Sequence, residues 1–83
     1  MQPEITIELW GVATCRRYQR MRRAVLEGAQ RLGVDVRLKE INDTGRLARV
    51  NPLHLPQLRM GERVLARGNP PSTDAVARWL TES

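Results

Sequence analysis

The sequence predicts a single α/β domain of order βαβαββα, in which a four-stranded mixed sheet is flanked by helices. Three observations predict it. Two segments in the first half alternate apolar and polar residues on either side of a long stretch with helical spacing. Two further short strand-like runs are joined by a tight turn at Gly61-Glu62. The chain of 83 residues, 41% hydrophobic and 28% charged, has the balance of one compact domain and is too short for two.

The elements follow in order. EITIELW, residues 4 to 10, places Ile5, Ile7 and Leu9 on one face, and β-branched residues suit a pleated strand. After a connector from Gly11 to Thr14, the residues Tyr18, Met21, Val25, Ala29 and Leu32 recur within one apolar stripe. They predict a helix from about Cys15 to Leu32 with Gly33 as its stop. Arg16, Arg20, Arg23, Glu27 and Arg31 fall on its solvent side, and Arg22 lies at the edge of the stripe, where its stem can snorkel. Residues 34 to 41 alternate again, with Val34, Val36, Leu38 and Ile41 inward. A strand, a crossover helix and a strand make a parallel pair of right-handed connection.

Asn42 to Gly45 reads as a turn, and Thr44 to Val50 as a short second helix through Leu47 and Val50. Past Asn51-Pro52, strands at 57 to 60 and 63 to 66 form a hairpin. Asn69-Pro70-Pro71 breaks the chain. Ser72 then offers an N-cap, Asp74 suits the first turn, and Ala75, Val76, Trp79 and Leu80 give a final helix its apolar face.

The totals also exclude function classes. One cysteine permits no disulfide framework within the chain, and with the single His54 it leaves too few soft ligands for a closed metal site. The N-terminus carries Glu4 and no long apolar run, so it reads neither as a signal peptide nor as a membrane span. A cytoplasmic location is the expectation, and a free thiol fits a reducing compartment. The formal charge of +5 rests on thirteen arginines and one lysine spread along the chain instead of forming a block. A nucleic-acid partner is therefore not expected, although Arg16, Arg17, Arg20 and Arg23 make a basic helix end.

Cys15 is the candidate catalytic residue. It follows a strand and opens a helix, where unpaired N–H groups and the positive dipole end favour a thiolate, and Arg16 and Arg17 add positive charge. His54, two residues before Pro56, is a candidate proton donor whose ordinary role in a loop is solvated. Trp10 and Trp79 read as core or rim packing.

Three features of the chain, from Ile5 to Leu80, resemble the short thioredoxin-like and glutaredoxin-like redox proteins. WGVATCRRY places Cys15 five residues after Trp10, as the attacking cysteine of a glutaredoxin-type C-x-x-C motif is placed. Leu55-Pro56 introduces the hairpin, where these families keep a cis-proline beside the redox centre. RGNPPSTDAVARWL is similar to their Gly-turn and terminal helix. The resemblance implies a thioredoxin-like fold, a catalytic Cys15, and substrate contacts from Tyr18, Leu55 and Pro56, with the backbone of Leu55 presented to a substrate strand.

The chain departs from that pattern at the second cysteine, which is Tyr18, so no resolving thiol remains. Resolution then needs an external thiol. Glutathione is the obvious one, yet the residues with which glutaredoxins hold it are not reproduced around Gly68, where Arg67, Asn69 and Pro70 stand. The C-G-F-S signature of cluster-binding monothiol glutaredoxins is here Cys15-Arg16-Arg17-Tyr18, and no resident cofactor is expected. The expected function is thiol–disulfide exchange on a protein or low-molecular-weight disulfide. The alternative is a redox-inactive module of the same fold that binds peptides or protein partners.

Overall fold

The computed structural model describes residues 4–82. Strands β1 (Ile5–Trp10), β2 (Val36–Ile41), β3 (Gln57–Met60) and β4 (Arg63–Arg67) form one sheet of order β2-β1-β3-β4. β1 pairs parallel to β2 and antiparallel to β3, and β3 pairs antiparallel to β4, so the sheet is mixed as expected. The helices are α1 (Arg16–Leu32), a single turn α2 (Thr44–Leu47) and α3 (Thr73–Glu82). A 3-10 turn at Pro52–His54 leads into β3.

One core forms between the sheet and the helix pair α1 and α3. Ile7, Leu9 and Leu58 of the sheet meet Tyr18, Met21, Ala24, Val25 and Ala29 of α1 and Val76 and Leu80 of α3, all buried. The strand alternation decides which residues those are. Ile7 and Leu9 project to the helices, whereas Glu8 and Trp10 lie on the other face.

The helix ends match their sequence signals. Cys15 is the N-cap of α1, with extended backbone, and Gly33 closes the helix in the left-handed conformation. The Val34 N–H donates to the Ala29 carbonyl at 3.0 Å, which spends the backbone of that residue on the helix end. Strand β2 therefore starts at Val36, two residues later than alternation alone suggests. Ser72 caps α3 as expected, its Oγ accepting from the Ala75 N–H at 3.1 Å.

Two expectations need correction. Leu32 is 39% exposed, because the last turn of α1 lies outside the buried cluster, while Ala24 and Gly28 complete the packed face instead. The helix expected over Thr44–Val50 is one α-turn, capped by Asp43. It tightens into i to i−3 bonds from Arg49 to Arg46 and from Val50 to Leu47. Asn51 precedes Pro52 and is held extended (ψ 125°), which ends the helix there.

Gly28 sets how closely α1 and α3 approach. A Cβ there would sit 2.9 Å from Cγ1 and 3.2 Å from Cβ of Val76, a β-branched side chain with little freedom to withdraw. Gly28→Val should destabilise the domain by about 1–3 kcal/mol through overpacking. Urea unfolding checks this; an unchanged midpoint would show that the helices separate without loss.

Candidate functional site

The site lies at the C-terminal end of β1. There the chain leaves the sheet at Gly11, turns, and enters α1 through Cys15. The Cys15 N–H donates to the Val12 carbonyl at 3.0 Å, and its own carbonyl accepts from Gln19 at 3.1 Å, so its backbone is fixed from both sides. Its side chain makes no capping hydrogen bond, and the first turn of α1 holds no acidic residue. The sulfur is therefore half-buried beside the positive end of a 17-residue helix, with no carboxylate in that turn to offset the dipole.

Opposite Cys15, the Leu55–Pro56 peptide is cis, as the family resemblance implies. Val12, Cys15, Pro52, Leu55 and Pro56 together line a mostly apolar recess of about 240 Å³. Val12, on its rim, is 57% exposed. Of the predicted site residues, the recess brings together Cys15, Leu55 and Pro56.

Tyr18 does not join them, and the expectation that it contacts substrate is corrected. It is 1% exposed and part of the core. Its hydroxyl donates to Oε1 of Glu40 at 2.8 Å and accepts from Nδ2 of Asn42 at 2.9 Å. The same Asn42 amide donates to the Gly11 carbonyl at 2.9 Å, and the Arg22 guanidinium lies 3.4 Å from Glu40. Position 18 thus holds up the floor of the site and leaves its hydroxyl committed away from the sulfur.

Gly11 makes this floor possible. Its φ of 156° lies in the range that favours glycine. A Cβ there would come within 2.9 Å of the Tyr18 ring and 3.2 Å of Pro56 Cβ. The glycine is therefore a spacer of zero thickness between the aromatic ring on α1 and the proline facing Cys15.

The two arginines expected to favour a thiolate take different positions. Arg17 Nη1 donates to the Gly68 carbonyl at 3.4 Å, and the Gly68 N–H donates to the Pro56 carbonyl at 2.7 Å. The arginine thereby ties α1 to the strand end that carries Pro56. Arg16 is exposed, and among the described residues no hydrogen bond joins either guanidinium to the sulfur. His54 is exposed in the 3-10 turn and does not line the recess.

Three residues of the site escape sequence reasoning: Gly11, Glu40 and Asn42. Gly11 reads as a connector and Asn42 as a turn residue, and with Ile41 read as inward the sequence does not place Glu40 on the helix side, where it pairs with Leu9 across the sheet and meets Tyr18 and Arg22. Among the described residues, no group of three or more His, Cys, Asp or Glu side chains is placed to hold a metal ion. Among those residues, no helix is long and apolar enough to cross a membrane. Comparison of the chain with protein-family models, curated proteins and solved structures found no match.

Burial pushes the Tyr18 hydroxyl from its ordinary value of 10.0 up to about 12. The hydrogen bond to Glu40 and the Glu40 charge add to this, while the Asn42 bond and Arg22 oppose it. The folded state therefore holds this proton more tightly than the unfolded chain. Its contribution is fully present below about pH 10 and is lost as the pH rises through about 12, an effect on the order of 2–3 kcal/mol. Tyr18 is the only tyrosine, so phenolate absorbance reads it alone. In the folded chain the titration should move up by about two pH units relative to the chain in urea; equal midpoints would contradict the buried assignment.

Proposed function

We propose that the chain is a thioredoxin-like protein that carries out thiol–disulfide exchange through Cys15, with an external thiol completing the cycle. The observation that carries this reading is the placement of Cys15. It is the N-cap of α1, its side chain is not used for capping, and it lines an apolar recess with Leu55 and Pro56. The βαβαββα order and the β2-β1-β3-β4 sheet, with the parallel pair beside the hairpin, support the fold part of the proposal.

The chemistry follows from the residues. The Cys15 thiolate attacks one sulfur of a disulfide; a new sulfur–sulfur bond forms, the old one breaks, and the departing thiolate takes a proton from water. Residue 18 is tyrosine, so no second thiol of the chain can expel the substrate. A small thiol such as glutathione then attacks the mixed disulfide, leaves with the substrate's sulfur, and returns Cys15 to the thiolate. Val12 and Leu55 favour disulfides flanked by apolar groups.

The same absence of a resolving thiol favours a second reading, a module that holds extended peptides against Leu55 without electron transfer. One experiment separates the two. The folded chain is mixed with bis(2-hydroxyethyl) disulfide at neutral pH, and the mixed disulfide is followed by mass spectrometry. The proposal expects the folded chain to react faster than the same chain in concentrated urea, by about tenfold, and Cys15→Ser to form no adduct. A folded chain slower than the unfolded one would leave only the binding module.

A further inference from the structure

The face of the sheet turned away from α1 and α3 sorts charge in a way the linear sequence conceals. Strand residues on the helix side that carry charge are ion-paired to helices: Glu40 with Arg22 of α1, and Arg63 with Glu82 of α3. On the opposite face, strand alternation and register bring together Arg37 and Lys39 of β2, Arg59 of β3 and Arg67 of β4, with Glu8 of β1 as the single carboxylate. Lys39, Glu8 and Arg59 are consecutive partners across three strands. Among the described residues none of these four cations makes an ion pair. Thr6, Arg37 and Lys39 are exposed, so that part of the face is uncovered among the described residues.

The face also carries a stacking platform. The Arg59 guanidinium lies over the Trp10 ring, 4.1 Å from its centroid, and its Nε donates to Oε1 of the buried Gln57. The Trp10 indole N–H is in turn held by Glu8 at 3.1 Å. A planar cation fixed on an aromatic ring is a surface on which a nucleobase stacks, and cations to either side are placed for the phosphates.

We propose that this open sheet face binds single-stranded nucleic acid, with Arg37, Lys39 and Arg67 on phosphates and the Arg59–Trp10 pair under a base. Thr6, Arg37 and Lys39 lie exposed on adjacent strands, and a strand surface of this kind suits a nucleic acid whose bases are free to splay out and stack. The discount that the scattered arginines receive in the sequence does not apply to this face, because folding brings Arg37 and Lys39 of β2 onto the same face as Arg59 and Arg67 of the distant β3–β4 hairpin.

The test is fluorescence anisotropy at low salt with a labelled oligothymidylate of about twenty nucleotides, the corresponding duplex, and unlabelled heparin as competitor. The single strand should bind with a log–log salt slope of about −2, from three phosphate-facing cations at about −0.7 each. Arg37→Gln with Lys39→Gln should weaken binding at least about tenfold. The charge-matched pair Arg20→Gln with Arg23→Gln on α1 should change it less than about threefold. Circular dichroism confirms that both variants fold. The proposal is overturned by no binding at low salt, by equal losses in the two variants, or by equal affinity for duplex and single strand. Heparin displacing the strand as well as an unlabelled strand of equal charge would likewise overturn it, since the face would then be a general polyanion surface.

Discussion

The site depends on one close approach: Gly11 lies between the Tyr18 ring and Pro56 with no room for a Cβ. Everything around the thiol follows from that pinch. Gly11 ends β1 and hydrogen-bonds Ile41 of β2 through its N–H and Asn42 through its carbonyl, so the central strand and its parallel neighbour are locked at this level. Tyr18 is held by Asn42 and Glu40, which fixes the first turn of α1 relative to β2. Pro56 is held by Gly68, and Gly68 by Arg17. Cys15 is carried on this frame and contributes nothing to holding it together by hydrogen bonding of its side chain.

Such a division has a physical consequence. A nucleophile works best when its neighbours are fixed by packing and hydrogen bonds that do not consume the reactive atom. Here the network holds Gly11 and Pro56 without using the Cys15 side chain for a cap. Tyr18, standing where a dithiol protein would have its second cysteine, is spent on structure, and the chemistry proposed for Cys15 is accordingly monothiol. The two faces of the sheet are likewise put to different uses. The helix-side face supplies the core, and the opposite face carries Arg37, Lys39, Arg59 and Arg67, which make no ion pair among the described residues.

Much of the fold was legible in the sequence because local signals agreed with tertiary ones. Ile5, Ile7 and Leu9 alternate, Gly33 ends α1, Ser72 starts α3, and Gly61-Glu62 turns the hairpin; each of these needs only neighbours within a few residues. The misread places are those where a distant group decides. Leu32 satisfies the helical period but lies beyond the part of α1 that the core covers. Val34 alternates correctly, yet its N–H is taken by the helix end. At the site, Cys15, Leu55 and Pro56 were legible from the cysteine position and the family resemblance. The apolar stripe of α1 places Tyr18 in the core, and only the substrate contact implied by the resemblance fails; its hydroxyl partners, Glu40 and Asn42, are not legible because they lie more than twenty residues away. The basic sheet face was invisible for the same reason, since its members come from separate strands.

The central claim, that the Gly11 pinch positions Cys15 for exchange, is tested most directly by comparing disulfide-exchange rates of the native chain and Gly11→Ala. Both are measured at a temperature where circular dichroism shows each to be folded. A Cβ at this position must displace Tyr18 or Pro56, so the account predicts an exchange rate lower by about tenfold or more in the folded variant, with little change for both chains in urea. An unchanged rate in a folded Gly11→Ala protein would contradict it, and would mean that Cys15 reacts without help from the frame beneath it.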